Sequence, residues 1–375
     1  MENKLIKLTL KGFKSIAGDE LDLNQLNVLI GPNGAGKSNL IGFFRMLSYM
    51  LSAPSGALQR YIAENGGASA LLHDGPKRTR ELEATLVIET GQGRNDYAFR
   101  LFHAAGDTLI FDEEACRFSR KGKPLNPKWI EFGAGHREAL LLDKTADAVR
   151  KTRVTIAGLL RGFVVYHFHD TSKEARVKMR WPLTDNVYLI YDAANLGPFL
   201  LRLRDGHPKH YRRIVETIRQ VAPFFDDFVL EPEHGTMLLR WREQGSDIVF
   251  GADQASDGTL RAIALIATLQ QPTDTLPALL IIDEPELGLH PYAITVIGGL
   301  IKAMAQDRQV LIATQSPMLL DQFDAADVVV AERRGRSTTY RRLDEDRLRD
   351  WLEDYTLSDL WARNVLGGRP REGQP

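Results

Sequence analysis

GPNGAGKS, Gly31 to Ser38, lies between the apolar run Val28, Leu29, Ile30 and a segment, Asn39 to Leu51, in which Leu40, Ile41, Phe43, Phe44 and Leu47 recur at near-helical spacing. A strand, a glycine-rich turn and a helix with Lys and Ser at its start together make a phosphate-binding loop. Gly31, Gly34 and Gly36 let the backbone curl so that its N–H groups face one point, and the helix beginning near Lys37 adds the positive end of its dipole. In such a loop Lys37 reaches the β- and γ-phosphates and the Ser38 hydroxyl goes to Mg2+.

Working outward, LLIIDEPE (Leu279 to Glu286) reads as a buried strand that ends in Asp283. In open α/β folds ligands bind at that edge of the sheet, so Asp283 is expected to hold Mg2+ and Glu284 to orient the attacking water. QASDGTLR (Gln254 to Arg261) precedes an apolar helix from Leu260 to Leu269. Ser256 and Gly258 at that helix start are either a plain N-cap or an anion site of their own. One nucleotide needs only one such site per chain, so the second reading has Ser256 reaching a γ-phosphate held by another subunit.

The runs Leu279 to Ile282, Val310 to Ala313 and Val328 to Ala331 are apolar without alternation, as in strands buried on both faces of a parallel sheet. Strands are also expected at Lys4 to Leu10, Glu20 to Ile30 and Phe163 to Tyr166. Leu82, Ala84, Leu86 and Ile88 alternate as in antiparallel strands between Glu81 and Ile110, and Gly197 to Pro223 reads as helical. The pattern predicts an α/β fold with at least five parallel core strands and a mixed insertion between about residues 55 and 250. The expected segments are 1–54, 55–250, 251–343 and 344–375, with a disordered tail from Gly367 to Pro375.

These residues resemble the ATP-binding-cassette ATPases of the SMC, RecF and OLD group. The match comprises GFKS (Gly12 to Ser15), GPNGAGKSN, ASDGTLR and IIDEPELGLHP (Ile281 to Pro291). VYHFHDTS, APFFDDFVLEP and ATQSPMLLD extend it toward bacterial predicted ATPases with relatives in anti-phage defence loci. The resemblance implies a P-loop NTPase fold with a mostly parallel core sheet, an antiparallel β subdomain and a helical insertion. It implies ATP and Mg2+ as cofactors, with Gly31, Pro32, Asn33, Gly34, Ala35, Gly36, Lys37, Ser38 and Asn39 around the nucleotide. It also implies an ATP-dependent homodimer completed by Ser256 and Gly258, and catalysis by Glu284, Lys37 and the switch residue.

That switch position usually carries His; here TQS places Gln315 there, which can hydrogen-bond a phosphate but cannot take a proton. The rival to an ATP-hydrolysing switch in DNA repair or defence is therefore a weakly hydrolysing scaffold that regulates a partner effector. A transporter ATPase is disfavoured by the ASDGT and ELGLHP patterns. Glu332 with Asp344 and Asp346 imitates a Toprim nuclease signature, but its spacing leaves no room for that fold, and Asp344 is expected to cap a helix. His167 and His169 share one face and read as nucleotide sensing, packing or a metal pair. The basic stretches Arg117 to Lys128, Arg150 to Arg153 and Arg202 to Arg219 either track nucleic-acid phosphates or are solvated faces. Phe224, Phe225 and Phe228 read as core.

Composition sets the outer bounds. The 375 residues are 43% hydrophobic, enough for a large core, and 48 Lys and Arg stand against 49 Asp and Glu, a net charge of −1. That balance excludes a polybasic protein but permits local basic patches. A single cysteine, Cys116, excludes an internal disulfide and fits a reducing cytoplasm. No apolar run approaches the ~20 residues that span a bilayer, so no membrane partner is expected.

Overall fold

The computed structural model describes residues 3–51, 56–123, 127–143 and 150–367. The chain divides into two compact units, Met1–Val164 together with Asp324–Pro375, and Val165–Phe323. The units cut the chain at points other than the four segments expected from sequence.

Two ladders build the first unit. Strands β1 (Lys4–Phe13), β2 (Ile16–Asp22), β4 (Glu81–Thr90), β5 (Gly93–Ala104) and β6 (Thr108–Arg120) pair antiparallel in the order β2-β1-β4-β5-β6. Leu82, Ala84, Leu86 and Ile88 alternate as expected, each 2% exposed or less. Helix α1 (Lys37–Met50) places the Phe43 ring 5.9 Å from Phe13 and 6.4 Å from Phe99. Burying each such side chain stabilises the unit by roughly 1.5–3 kcal/mol. The second ladder pairs β3 (Leu26–Ile30) in parallel with Val328–Arg334, which pairs antiparallel with Ser337–Arg342. All five residues of β3 are buried.

In the second unit Leu279–Asp283 and Gln309–Thr314 run parallel, with Asp283 beside Ala313. Helices Asp257–Leu269 and Pro291–Asp307 belong to the same unit. His290 caps the latter with Pro291 in its first turn.

Several expectations need correction. Glu20 to Ile30 is two strands, because the Asn27 side chain accepts from Asn24 N (2.9 Å) and donates to Asn24 O (2.8 Å), latching a turn between them. Gly197 to Pro223 is two helices, Leu196–Gly206 and Pro208–Val221. Pro208 has no N–H to continue the first helix and holds His207 out of helical geometry, at φ −135 and ψ 58. Arg117 is not in an exposed loop but lies within β6, half-buried, with Nε donating to Asp96 (2.6 Å) and its guanidinium 4.3 Å from the Trp129 ring. Of that basic stretch, residues 124–126 lie outside the described residues, as do 368–375 of the tail. Phe225 and Phe228 are core, whereas Phe224 is exposed. No helix among the described residues is long and apolar enough to cross a membrane.

Candidate functional site

In the first unit GPNGAGKS joins β3 to α1. Gly36 caps α1 in the left-handed region (φ 105), and a Cβ there would overlap the Thr338 hydroxyl, so only glycine fits. No side chain caps α1 and no acid lies in its first turn, leaving its positive end for an external anion. Asn33, Gly34 and Ser38 are exposed, whereas Lys37 is 5% exposed and folds back, Nζ donating to the carbonyls of Gly31 (2.5 Å) and Pro32 (3.2 Å). This loop fits a polyphosphate.

The loop is braced from both ends of the sequence. Thr338 Oγ1 donates to Ala35 O (2.9 Å) and Tyr340 Oη to Gly36 O (3.0 Å). Burial pushes the Tyr340 phenol upward, which keeps it a donor. Ser15 Oγ accepts from Asn39 Nδ2 (2.7 Å) and lies 2.7 Å from Thr338 Oγ1; because that hydroxyl already donates to Ala35, Ser15 must donate to it. Asn39, expected near nucleotide, therefore also serves as a strut. Nothing local in GFKS marks Ser15 for this role, since its partners come from the phosphate loop and from Thr338.

In the second unit Asp283 ends its strand and Glu284 turns out of the ladder at φ 44, its N–H donating to Ala313 O (2.8 Å). Holding a non-glycine residue there costs about 1–3 kcal/mol, a strain that tends to persist at functional sites. Gln315 Nε2 donates to Glu284 Oε1 (2.5 Å), so two residues 31 apart in sequence form one polar pair.

A third member was missed by sequence reasoning. Glu286 Oε1 accepts from Thr314 Oγ1 (2.6 Å) and from the Gln315 N–H (3.1 Å), while its buried Oε2 has no partner. Burial raises its pKa above the ordinary carboxylate value, the Glu284 charge adds to the rise, and the bonds from Thr314 and Gln315 oppose it. The only available signal was a Glu following the Pro after Asp283–Glu284.

Ser256 caps its helix, Oγ accepting from Thr259 N (3.1 Å). Gly258 has a packing reason as well, since a Cβ there would overlap the Gly288 carbonyl. Arg261 ties this helix to two loops, donating to Leu287 O (3.3 Å), Phe168 O (3.2 Å) and His169 O (2.9 Å). His169 Nε2 lies 3.0 Å from Asp283 O, and since a carbonyl only accepts, that nitrogen carries the proton. The His167 and His169 rings are 4.3 Å apart. Among the described residues no three His, Cys, Asp or Glu side chains are grouped to hold a metal. Asp344 caps its helix, accepting from Arg347 N.

The family described as "AAA domain, putative AbiEii toxin, Type IV TA system" matches residues 26–321. The chain belongs to it. It is also 24% identical over 391 residues to an OLD nuclease of Thermus scotoductus (strain ATCC 700910 / SA-01), an alignment covering 97% of this chain and 68% of that one. The structure resembles an Smc head solved with the C-terminal winged-helix domain of ScpA, with TM-score 0.62, 16% identity and coverage of 92% of this chain and 99% of the other. An Smc head with an extended coiled coil, solved with the C-terminal domain of ScpA from Pyrococcus furiosus, gives TM-score 0.58, 14% identity and coverage of 94% and 99%. The fold is thus that of ABC-type P-loop ATPase heads.

Proposed function

We propose that the chain binds ATP and Mg2+, hydrolyses the nucleotide, and works as a switch that pairs two copies around it. The pairing of Glu284 with Gln315, in a chain of this family, is the observation that carries the reading. Gly31 to Asn39 bind the phosphates, with Lys37 as their point charge, and Ser38 and Asp283 hold Mg2+, which when bound supplies charge neutralisation at the phosphoryl oxygens. Glu284 orients the attacking water, Gln315 holds the Glu284 carboxylate and reports on the γ-phosphate, and Ser256 and Gly258 complete the site of the partner copy. The OLD nuclease relative and the family description support a role in anti-phage defence or DNA repair, acting on nucleic acid or through a partner effector.

The second reading, a weakly hydrolysing ATP-bound scaffold, is favoured by the same pair. Gln315 cannot take a proton, and its amide already occupies one of the two Glu284 carboxylate oxygens.

Phosphate release and light scattering test both readings. Glu284→Gln should bind ATP without turnover and accumulate as a dimer, and Ser256→Arg should prevent that dimer while leaving ATP binding intact. A wild type that turns over no faster than Glu284→Gln selects the scaffold. Wild-type hydrolysis by dilute, monomeric Ser256→Arg overturns the shared site.

A further inference from the structure

Two of the basic stretches meet at one place in the first unit. The end of β6 and the turn after it supply Arg120 and Lys121, and the helix Arg150–Arg161 supplies Lys151 and Thr152, to a concavity of about 620 Å3. Volumes of roughly 300–1,000 Å3 are those of small-molecule sites, so a duplex could touch only its rim. None of the residues lining it is acidic, and none belongs to GPNGAGKS. Among the described residues no carboxylate pairs with Arg120, Lys121 or Lys151, all of them exposed. The first turn of the helix Arg150–Arg161 likewise carries no acid. Their neighbours differ: Arg117 is neutralised by Asp96, and Arg153 is buried, donates to Leu140 O and lies 4.7 Å from the Phe132 ring.

The wall holds an independent sign of a ligand. Asn95 on β5 lies opposite Phe118 on β6, and both line the concavity. Asn95 is 2% exposed, yet its amide makes no hydrogen bond among the described residues. The little surface its amide keeps opens on the concavity, where it can meet a polar group that Leu or Val at the same strand position could not. A second concavity on this sheet, about 520 Å3, is lined by Glu83, Asp112, Glu113 and Glu131, so the cationic character is local to the first.

We propose that this concavity binds a nucleoside phosphate, either a free nucleotide or the phosphorylated end of a single strand. The cations take the phosphate, the Thr152 hydroxyl adds a donor, Phe118 offers a ring to a base and Asn95 meets a polar edge. The site goes beyond the P-loop reading and does not depend on it.

The test uses the full chain carrying Lys37→Ala, to remove P-loop affinity, with two probes followed by anisotropy: a fluorescent ADP, and a short fluorescent oligothymidylate with or without a 5′-phosphate. At least one probe should bind saturably, more weakly as salt rises, and the double variant Lys121→Glu/Lys151→Glu should lower affinity roughly tenfold or more. Asn95→Leu should lower affinity several-fold with an unchanged or higher melting temperature, because the native fold loses no hydrogen bond. Tighter oligonucleotide binding that needs the 5′-phosphate identifies a strand end; ADP binding without that advantage identifies a free nucleotide. The proposal fails if neither probe binds, if charge reversal leaves binding unchanged, or if Asn95→Leu melts markedly lower. Undiminished ATP binding by Lys37→Ala alone would instead sink the P-loop assignment.

Discussion

Replacing Glu286 by Ala strips two donors of their shared acceptor. The Thr314 hydroxyl, on a residue 0% exposed, and the Gln315 N–H both point at Oε1. An orphaned buried donor costs about 1–3 kcal/mol, and relief of a desolvated carboxylate returns part of it, so a net loss of roughly 2–4 kcal/mol is expected. For a unit of this size that is a fall of roughly 5–15 °C in melting temperature. Gln315 also loses its backbone anchor, so its grip on Glu284 loosens and ATP turnover changes with it. Glu286→Gln behaves differently, because both donors use one oxygen and the amide nitrogen would take the place of Oε2, which has no partner. The pH dependence has a definite sign. Burial raises the folded pKa of Glu286 above 4.5, so its favourable contribution is full below the unfolded value and is lost as pH rises through the folded one. Glu286→Gln should therefore melt above wild type at pH 7, with the gap closing toward pH 4. Scanning calorimetry at both pH values measures each difference. If Glu286→Ala melts like wild type, or Glu286→Gln falls as far as Ala, the hydrogen-bond account is wrong.

Lys37→Ala should cut ATP affinity sharply by calorimetry while the circular dichroism spectrum stays native, since the Gly31 and Pro32 carbonyls that accept from Lys37 lie within its own loop. Gly258→Ala must push the helix start away from Gly288 O, so it should lower the melting temperature, whereas Ser256→Ala should cost only the roughly 1 kcal/mol of a lost N-cap.

The phosphate loop was legible because its function is written locally: three glycines, Lys37 and Ser38 sit between an apolar strand and an amphipathic helix. The role of Asp344 as a cap was legible for the same reason. The Glu284–Gln315 pair was not, since it depends on the parallel register that sets Asp283 beside Ala313. Glu286 and Arg261 were overlooked because each is a charged residue whose partners come from other segments. Composition could not separate Arg117, paired to Asp96 across the sheet, from Lys121 four residues later, which has no such partner. The turn at His207 was visible in principle, because Pro208 forbids a continuous helix there, but apolar spacing on both sides masked it.

The brace on the phosphate loop has a consequence for how the protein is made. Ala35 is held by a hydroxyl 303 positions later in the chain, and Gly36 by a phenol 304 positions later. A ribosome delivers Ala35 303 residues before Thr338 and Gly36 304 residues before Tyr340, so the loop emerges long before its props. ATP in the surrounding solution therefore finds no finished cradle on the nascent chain. The loop takes its braced form only when the strand carrying Thr338 and Tyr340 closes beside it, which ties its final geometry to the synthesis of that strand.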